Sequence, residues 1–418
     1  MADVKDLMQE KINVLNEASK AYYARGEEIM SNFEYDKIYD ELVELEKQSG
    51  IILAGSPTQQ VGYEILSELP KEVHPSRMLS LDKTKSRDEL KEWLGNHQGI
   101  LSWKLDGLTI VLTYEDGKLI KAVTRGNGDV GEVITPNAKT FVNLPHQIAY
   151  KGNLVIRGEA VISYADFEEI NSEIEENAGR YKNPRNLCAG SVRQLNSEIT
   201  ASRRIRFFAF TLVSASDVSF KTRSEQMKWL AEQGFDTVKE RLVNAENIVE
   251  TVDLFESEVQ ENPIPSDGLV LAFDDLEYSA SLGTTAKFPR DSIAFKWQDQ
   301  TEKTVLREIE WNASRTGLIN PIAVFDPVEL EGTTVSRASV HNLSIVEELA
   351  LGIGDTIEVY KANMIIPQIS ANLTRSANLE PPKTCPACDT PVIIKNEQGV
   401  KTINCPNPKC PAKRIKSL

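Results

Sequence analysis

The apolar positions of this chain change their period several times along its 418 residues. From Val4 to Tyr23 they recur at helical spacing, and Ser31-Asn32-Phe33-Glu34 then announces a second helix with a capping-box pattern. Tyr35, Ile38, Leu42 and Leu45 give that helix an apolar stripe, which stops at Gly50. The two segments predict a small helical hairpin. Ser56-Pro57-Thr58-Gln59 is polar and breaks helix, which suits a linker. From there to about Trp297 strands alternate with a few helices, among them Asp166 to Glu176 and Ser224 to Gln233. Beyond Thr301 come short strands with Gly and Pro turns: Val305 to Trp311, Ile322 to Phe325, Thr333 to Ser336 and Asp355 to Lys361. This succession predicts a multidomain α+β protein with a mixed core and a small barrel after it.

One strand carries chemistry. Ile100 to Thr113 is rich in β-branched and aromatic residues, and Glu115-Asp116-Gly117-Lys118 supplies a turn before Leu119 to Thr124, so the stretch reads as a hairpin. Inside it, Trp103-Lys104-Leu105-Asp106-Gly107-Leu108 sets a lysine in an apolar strand, with a glycine after it that lets another molecule approach. Alternation puts Ser102, Lys104 and Asp106 on one face and Leu101, Trp103 and Leu105 on the other. Lys104 is a candidate nucleophile. An amine attacks phosphorus only when neutral, so covalent lysine sites lie in partly dry pockets beside cations or metal. The plain alternative is a strand lysine paired with Asp106, since most lysines are solvated surface residues.

Cys385-Pro386-Ala387-Cys388, with Cys405 and Cys410, forms two close pairs around a short hairpin containing Lys and Gly. Four thiolates suit tetrahedral zinc in a closed, structural site. Paired disulfides are the alternative, and a reducing compartment opposes them. Cys188 is expected to pack inside an Asn186 to Gly190 turn. Gly126-Asn127-Gly128-Asp129-Val130-Gly131 satisfies G-x-G-x-x-G, but Pro136 interrupts the next segment and His146 to Gly152 holds no acid for a ribose, so these glycines read as a loop.

Composition changes the picture at two points. Hydrophobic content is 41% with no long apolar run free of charge, which opposes a membrane protein, and the charged start from Met1 to Glu10 lacks a secretory signal, so a cytoplasmic location is expected. The net charge of −15 weighs against a nucleic-acid partner. Yet Arg203, Arg204 and Arg206 form one basic cluster and Lys409, Lys413, Arg414 and Lys416 another. Each is either a solvated surface or a DNA contact.

Ordered motifs along almost the whole chain resemble the NAD-dependent bacterial DNA ligases. Lys104-Leu105-Asp106-Gly107 matches K-x-D-G, Thr124-Arg125-Gly126-Asn127-Gly128 is similar to TRGDG with Asn127 in place of the acid, and Arg157-Gly158-Glu159 matches RGE. Met78-Leu79-Ser80-Leu81 resembles the family's MLSL. Asn183-Pro184-Arg185-Asn186 resembles NPRN, and Gly190-Ser191-Val192-Arg193-Gln194-Leu195 resembles GSLRQL. Asp267-Gly268 and Ile293-Ala294-Phe295-Lys296 resemble two later nucleotidyltransferase motifs. Arg315-Thr316-Gly317 and Ser339-Val340-His341-Asn342 look like the next domain.

The resemblance implies a helical module binding nicotinamide mononucleotide over residues 1–65, an adenylation domain over 66–300, an oligonucleotide-binding (OB) fold over 301–380 and a four-cysteine zinc finger over 381–418. It implies that Lys104 takes AMP from NAD and that Tyr22, Asn32, Tyr35 and Asp36 contact the nicotinamide mononucleotide half, Tyr22 and Tyr35 having helix packing as their alternative. Ser80, Leu81 and Asp106 would line the nucleotide pocket, and Arg125 would stand near phosphate or ribose. Glu159 would grip the ribose, unless it is a strand-end ion pair with Arg157. Arg185 and Arg193 would lie near the NAD diphosphate or a DNA 5′-phosphate, and Lys296 at the α-phosphate. Magnesium or manganese would screen the phosphates. The implied partner is nicked double-stranded DNA, bound by a monomer.

Further departures from the family pattern are Ala272 for lysine, Ser102 for glutamate, Tyr23 for histidine and Asn32 for aspartate. The sequence stops at Leu418, where the family continues into helix-hairpin-helix repeats and a terminal BRCT interaction domain. The expectation is weak nick binding, a protein partner in place of the repeats, or a fragment. The other readings are a divergent adenylating paralogue that seals poorly, and a DNA-binding module with a silent pocket.

Overall fold

A computed structural model describes residues 2–21, 29–59, 66–174, 181, 183–297, 299–330, 332–397 and 399–414. The chain divides into two compact units, one made of Met1–Ile170, Asn183–Ser257 and Asn262–Lys296, the other of Asn171–Lys182, Glu258–Glu261 and Trp297–Leu418. No described helix is long and apolar enough to cross a membrane.

The first unit opens with the helices Ala2–Lys20 and Asn32–Ser49. The expected capping box is present: the Glu34 N–H donates to the Ser31 hydroxyl while the Glu34 carboxylate accepts from the Ser31 N–H. The helices bury Met8, Ile12, Leu15 and Leu42, with Tyr35, Ile38 and Leu45 packed against them. The apolar stripe therefore serves the hairpin's own core. Lys5 pins the first helix to the body through Asp236, at 3.0 Å.

The body holds two sheets. A six-stranded antiparallel sheet runs in the order Ile52–Leu53, Pro145–Gln147, Lys118–Thr124, Leu108–Glu115, Leu154–Val161 and Arg206–Ala215. A five-stranded sheet runs Glu240–Val243, Gly99–Leu105, Ser266–Phe273, Ser292–Phe295 and Asp82–Thr84, and only its last pair is parallel. The expected hairpin is thus corrected: Leu108–Glu115 and Lys118–Thr124 do pair, but Gly99–Leu105 belongs to the other sheet. The chain crosses from one sheet to the other at Asp106 and Gly107. A Cβ on Gly107 would lie 1.9 Å from the Ala160 carbonyl oxygen, so the crossing passes too close to the neighbouring strand for any side chain.

Two further readings are corrected. Glu159 sits inside the Leu154–Val161 strand, not at a strand end. Cys188 lies in the helix Pro184–Val192 and not in a turn, because Asn183 caps the Asn186 N–H and Pro184 presets the first helical turn.

In the second unit the long strands Thr301–Ala313 and Leu318–Leu330 pair with each other and with Thr356–Ala362 and Thr333–Ser339, and Ile366–Asn372 completes that side. Their inward residues, including Leu306, Phe325, Ile357 and Val359, form one core. The hairpin Ile393–Glu397 and Val400–Asn404 joins this sheet through Leu318 and Ile319, beside a small cluster of Ile319, Leu343, Ile403 and the cysteines.

Candidate active site

Burial along Gly99–Leu105 follows the predicted alternation only from Leu101 to Lys104, since Ile100 is buried too and Leu105 is half-buried. Leu101 and Trp103 are buried while Ser102 and Lys104 are half-buried on the other face. Lys104 stands near the end of this strand with 29% of its side chain exposed, and its Nζ lies 3.7 Å from Oδ2 of Asp267. The same oxygen accepts from Lys296 Nζ at 2.5 Å. Asp267 reaches them because Gly268, at φ 99°, turns the chain in a conformation that L side chains rarely adopt, and a Cβ there would lie 2.1 Å from the Phe295 carbonyl oxygen. Asp106 takes the other side, 3.4 Å from an Arg185 nitrogen. Two carboxylates and three cations therefore converge on one partly dry cleft.

Glu159 closes the floor. Its Oε1 accepts the Gly107 N–H at 3.1 Å and its Oε2 accepts the Thr109 hydroxyl at 2.9 Å. Burial pushes its carboxyl up to about 7, against the opposing pull of those hydrogen bonds and of Lys104. No ion pair between Glu159 and Arg157 is seen among the described residues.

Arg125 anchors the next wall. Its guanidinium donates to the Ser80 hydroxyl at 2.9 Å and to the Met78 carbonyl at 3.2 Å, which brings the MLSL-like and TRGDG-like segments together. His74 Nε2 lies 3.1 Å from the Arg125 carbonyl. The Nε atoms of Arg125 and Arg157 are buried with no hydrogen-bond partner among the described residues. Burial and the Arg125 charge both push the Arg157 guanidinium below its ordinary value. Neighbouring guanidinium groups with unused donors suit an anion.

Not every expected residue joins this cleft. Arg193 is occupied by Glu132, with Nη2 donating to Oε1 at 2.8 Å, and this pairing holds the Glu132 carboxyl below the usual range. Leu81 is half-buried beside Ser80, just before the edge strand Asp82–Thr84. Asn32 opens the second helix and Asp36 is exposed on it. Tyr35 stacks on Tyr39 with ring centres 6.5 Å apart, and its hydroxyl lies 3.1 Å from that of Ser19. Tyr22 and Tyr23 lie outside the described residues.

Among the departures, Ser102 pairs across the sheet with Glu240 and Val270, and Ala272 pairs with Ile100 and Ser292. The sequence reading passed over Thr109 and His74. Thr109 was open to discovery, because alternation from Gly107 places it two positions along the strand that faces Glu159. His74 offered no local signal.

A separate cluster joins Cys385, Cys388, Cys405 and Cys410, whose sulfur atoms all lie within 4.8 Å of one another. The Cys385 to Cys410 distance is 3.8 Å and the Cys388 to Cys405 distance 3.5 Å. These are too long for disulfides. A tetrahedron with metal–sulfur bonds of about 2.3 Å has edges of about 3.8 Å, so the set fits a metal ion.

A strand-end lysine backed by a floor carboxylate, a second lysine and paired arginines defines the nucleotidyltransferase class. The NAD-dependent DNA ligase adenylation domain model matches residues 66–300, the ligase OB-fold domain model 303–380, and the DNA ligase-like, N-terminal NAD+-binding domain model 1–62. The chain belongs to the NAD-dependent DNA ligase family. It is 62% identical to the DNA ligase of Lachnoclostridium phytofermentans, over 100% of this chain and 64% of that protein. The DNA ligase of Ruminiclostridium cellulolyticum shows the same identity and coverage. The DNA ligase of Pediococcus pentosaceus is 36% identical over 100% of this chain and 64% of its own length. The chain thus spans 64% of the length of these three relatives.

Proposed function

We propose that this protein is adenylated on Lys104 by NAD and passes the AMP to the 5′-phosphate of a nick in duplex DNA. The neighbouring 3′-hydroxyl then displaces AMP and seals the strand. The observation that carries this reading is the position of Lys104, in a partly dry cleft that shares Asp267 with Lys296. In the first step Nζ of Lys104 forms a bond to the α-phosphorus of NAD. The bond from that phosphorus to the nicotinamide mononucleotide oxygen breaks, nicotinamide mononucleotide departs, and the surplus amine proton passes to solvent. Attack and departure are near in line. Lys296 faces the charge that grows on the phosphate oxygens, and Glu159, already the acceptor for Gly107 and Thr109, faces the ribose hydroxyls.

Arg125 and Arg157 offer their unused donors to phosphate, and Arg185 stands beside Asp106 where a second phosphate can reach it. Arg193 reaches DNA only by leaving Glu132. Tyr22, Asn32, Tyr35 and Asp36 remain the proposed contacts for the nicotinamide mononucleotide half, and Ser80 and Leu81 for the nucleotide. Magnesium or manganese remains the proposed cation that would screen the phosphates. The four cysteines hold zinc, closing residues 381–418 into a finger after the OB fold of 301–380, with the adenylation domain over 66–300 and the helical module over 1–65.

The test is intact mass after incubation with NAD and magnesium, and separately with ATP and magnesium, beside Lys104→Ala. A gain of one AMP with NAD alone, absent from the variant, supports the reading; no gain with either nucleotide sinks it. Ala272 and Ser102 favour a second reading, adenylation with inefficient sealing, because each replaces a charged side chain that the family usually places at the nucleotide. Sealing of a nicked duplex by the purified chain decides between them.

A further inference from the structure

Tyr164 begins the helix Tyr164–Glu173, and its hydroxyl oxygen is buried with no hydrogen-bond partner among the described residues. A buried phenol ordinarily finds a partner, and leaving it without one costs stability. The backbone fixes where this donor sits. The Tyr164 N–H donates to the Pro263 carbonyl at 3.1 Å, and the Asp106 N–H donates to the Pro265 carbonyl at 2.8 Å. Asp267 comes two residues later, and its neighbour Ser266 pairs with Leu105. Tyr164 and Asp106 are therefore held to one short segment, Pro263 to Asp267, whose last residue lies 3.7 Å from Nζ of Lys104.

The surroundings of the phenol keep it neutral. Burial first, then the Asp106 and Asp267 carboxylates, push its pKa far above the ordinary phenol range, so the oxygen keeps its proton. Neither carboxylate takes that proton in a hydrogen bond: Asp106 faces Arg185, and Asp267 faces Lys296 and Lys104. The donor is neutral and, among the described residues, unused.

We propose that the Tyr164 hydroxyl donates a hydrogen bond to an oxygen of the phosphate that Lys104 attacks, which makes Tyr164 a further catalytic residue. This rests on the reading of Lys104 given above. A donor aimed where charge develops strengthens as the phosphorus–oxygen bond to the leaving group breaks, so it lowers the barrier more than it tightens substrate binding. The same hydroxyl is a liability in the empty protein, where it has no partner.

The test uses the full chain and Tyr164→Phe, which keeps the ring. Single-turnover formation of the AMP adduct is followed by intact mass across NAD concentrations, with a melting curve for each protein. The expected result is a plateau rate at least tenfold lower, a half-saturating NAD concentration changed less than threefold, and a melting temperature equal to or above that of the unaltered protein. Discharge of the preformed adduct by nicotinamide mononucleotide slows by the same factor, since both directions cross one transition state. An unchanged plateau rate overturns the proposal. So does a loss confined to half-saturation, or a slow variant that also melts lower, since either marks a role in packing or affinity alone. No adduct on the unaltered protein overturns the reading of Lys104 and this inference with it; an adduct at equal rates on both proteins overturns only the role of Tyr164.

Discussion

Nζ of Lys104 stands 3.7 Å from Oδ2 of Asp267, near the end of the strand that leads from the five-stranded sheet to the six-stranded one. The carboxylate holds Lys296 more closely, at 2.5 Å, and so spaces two ammonium groups that would otherwise repel.

Replacing Asp267 with asparagine keeps the shape of the side chain and removes that charge. A hydrogen bond to a charged group is worth about 1.5–3 kcal/mol. Asp267→Asn is therefore expected to slow formation of the AMP adduct by about 10-fold to 100-fold, whereas Lys104→Ala abolishes it. A time course of intact mass with NAD and magnesium checks this. Equal rates for Asp267→Asn and the unaltered protein would show that Asp267 does not position the amine.

Glu159 makes stability depend on pH. Burial raises its folded pKa from 4.5 to about 7, so the folded state holds its proton more tightly than the unfolded chain. The stabilisation is therefore fully present below the unfolded value of about 4.5 and is lost as pH rises through about 7. Glu159→Gln keeps an acceptor for Gly107 and a polar partner for Thr109 but carries no charge. The variant should match the unaltered protein at pH 4.5 and exceed it by up to about 3 kcal/mol at pH 8.5. Urea melts at the two pH values measure this, and a difference that does not grow with pH would contradict it.

How much of this was legible in the sequence differs by element. The second helix was readable from Ser31 and Glu34 because a capping box is local chemistry. The two faces of the Lys104 strand were readable because strand alternation needs no partner. The split between Leu105 and Leu108 was not, since Gly107 is required by a contact with Ala160, far away in sequence. Glu159 shows both cases: its residue type suggested a polar grip, while its burial depends on how two strands close over it. Tyr164 carried no signal, because its hydroxyl becomes informative only once Pro263 and Pro265 place it beside two carboxylates.

The crossing at Gly107 yields a stability prediction. With alanine there, a methyl group would meet the Ala160 carbonyl oxygen, and backbone cannot yield as a flexible side chain does. Overpacking of this kind costs about 1–3 kcal/mol. Gly107→Ala should lower the urea midpoint accordingly and remove adduct formation, because the shift displaces both Lys104 and the Glu159 acceptor. A variant with an unaltered midpoint would mean that the two strands are free to separate at this point.

The cysteine cluster makes the last prediction. Four sulfur atoms within 4.8 Å of one another, three of them buried, would repel as thiolates without a cation between them. Elemental analysis of protein purified under reducing conditions should therefore find one zinc per chain, and Cys405→Ser should lower that content. Binding to such a site contributes directly to folding, so a strong chelator should expose the Ile393–Asn404 hairpin to protease. The Lys104 cleft draws no ligand from the cluster, so adduct formation should persist after chelation and a magnesium refill. Loss of both together would mean that the cysteines support the adenylation step, and zinc-free protein with an intact hairpin would mean that they hold no metal.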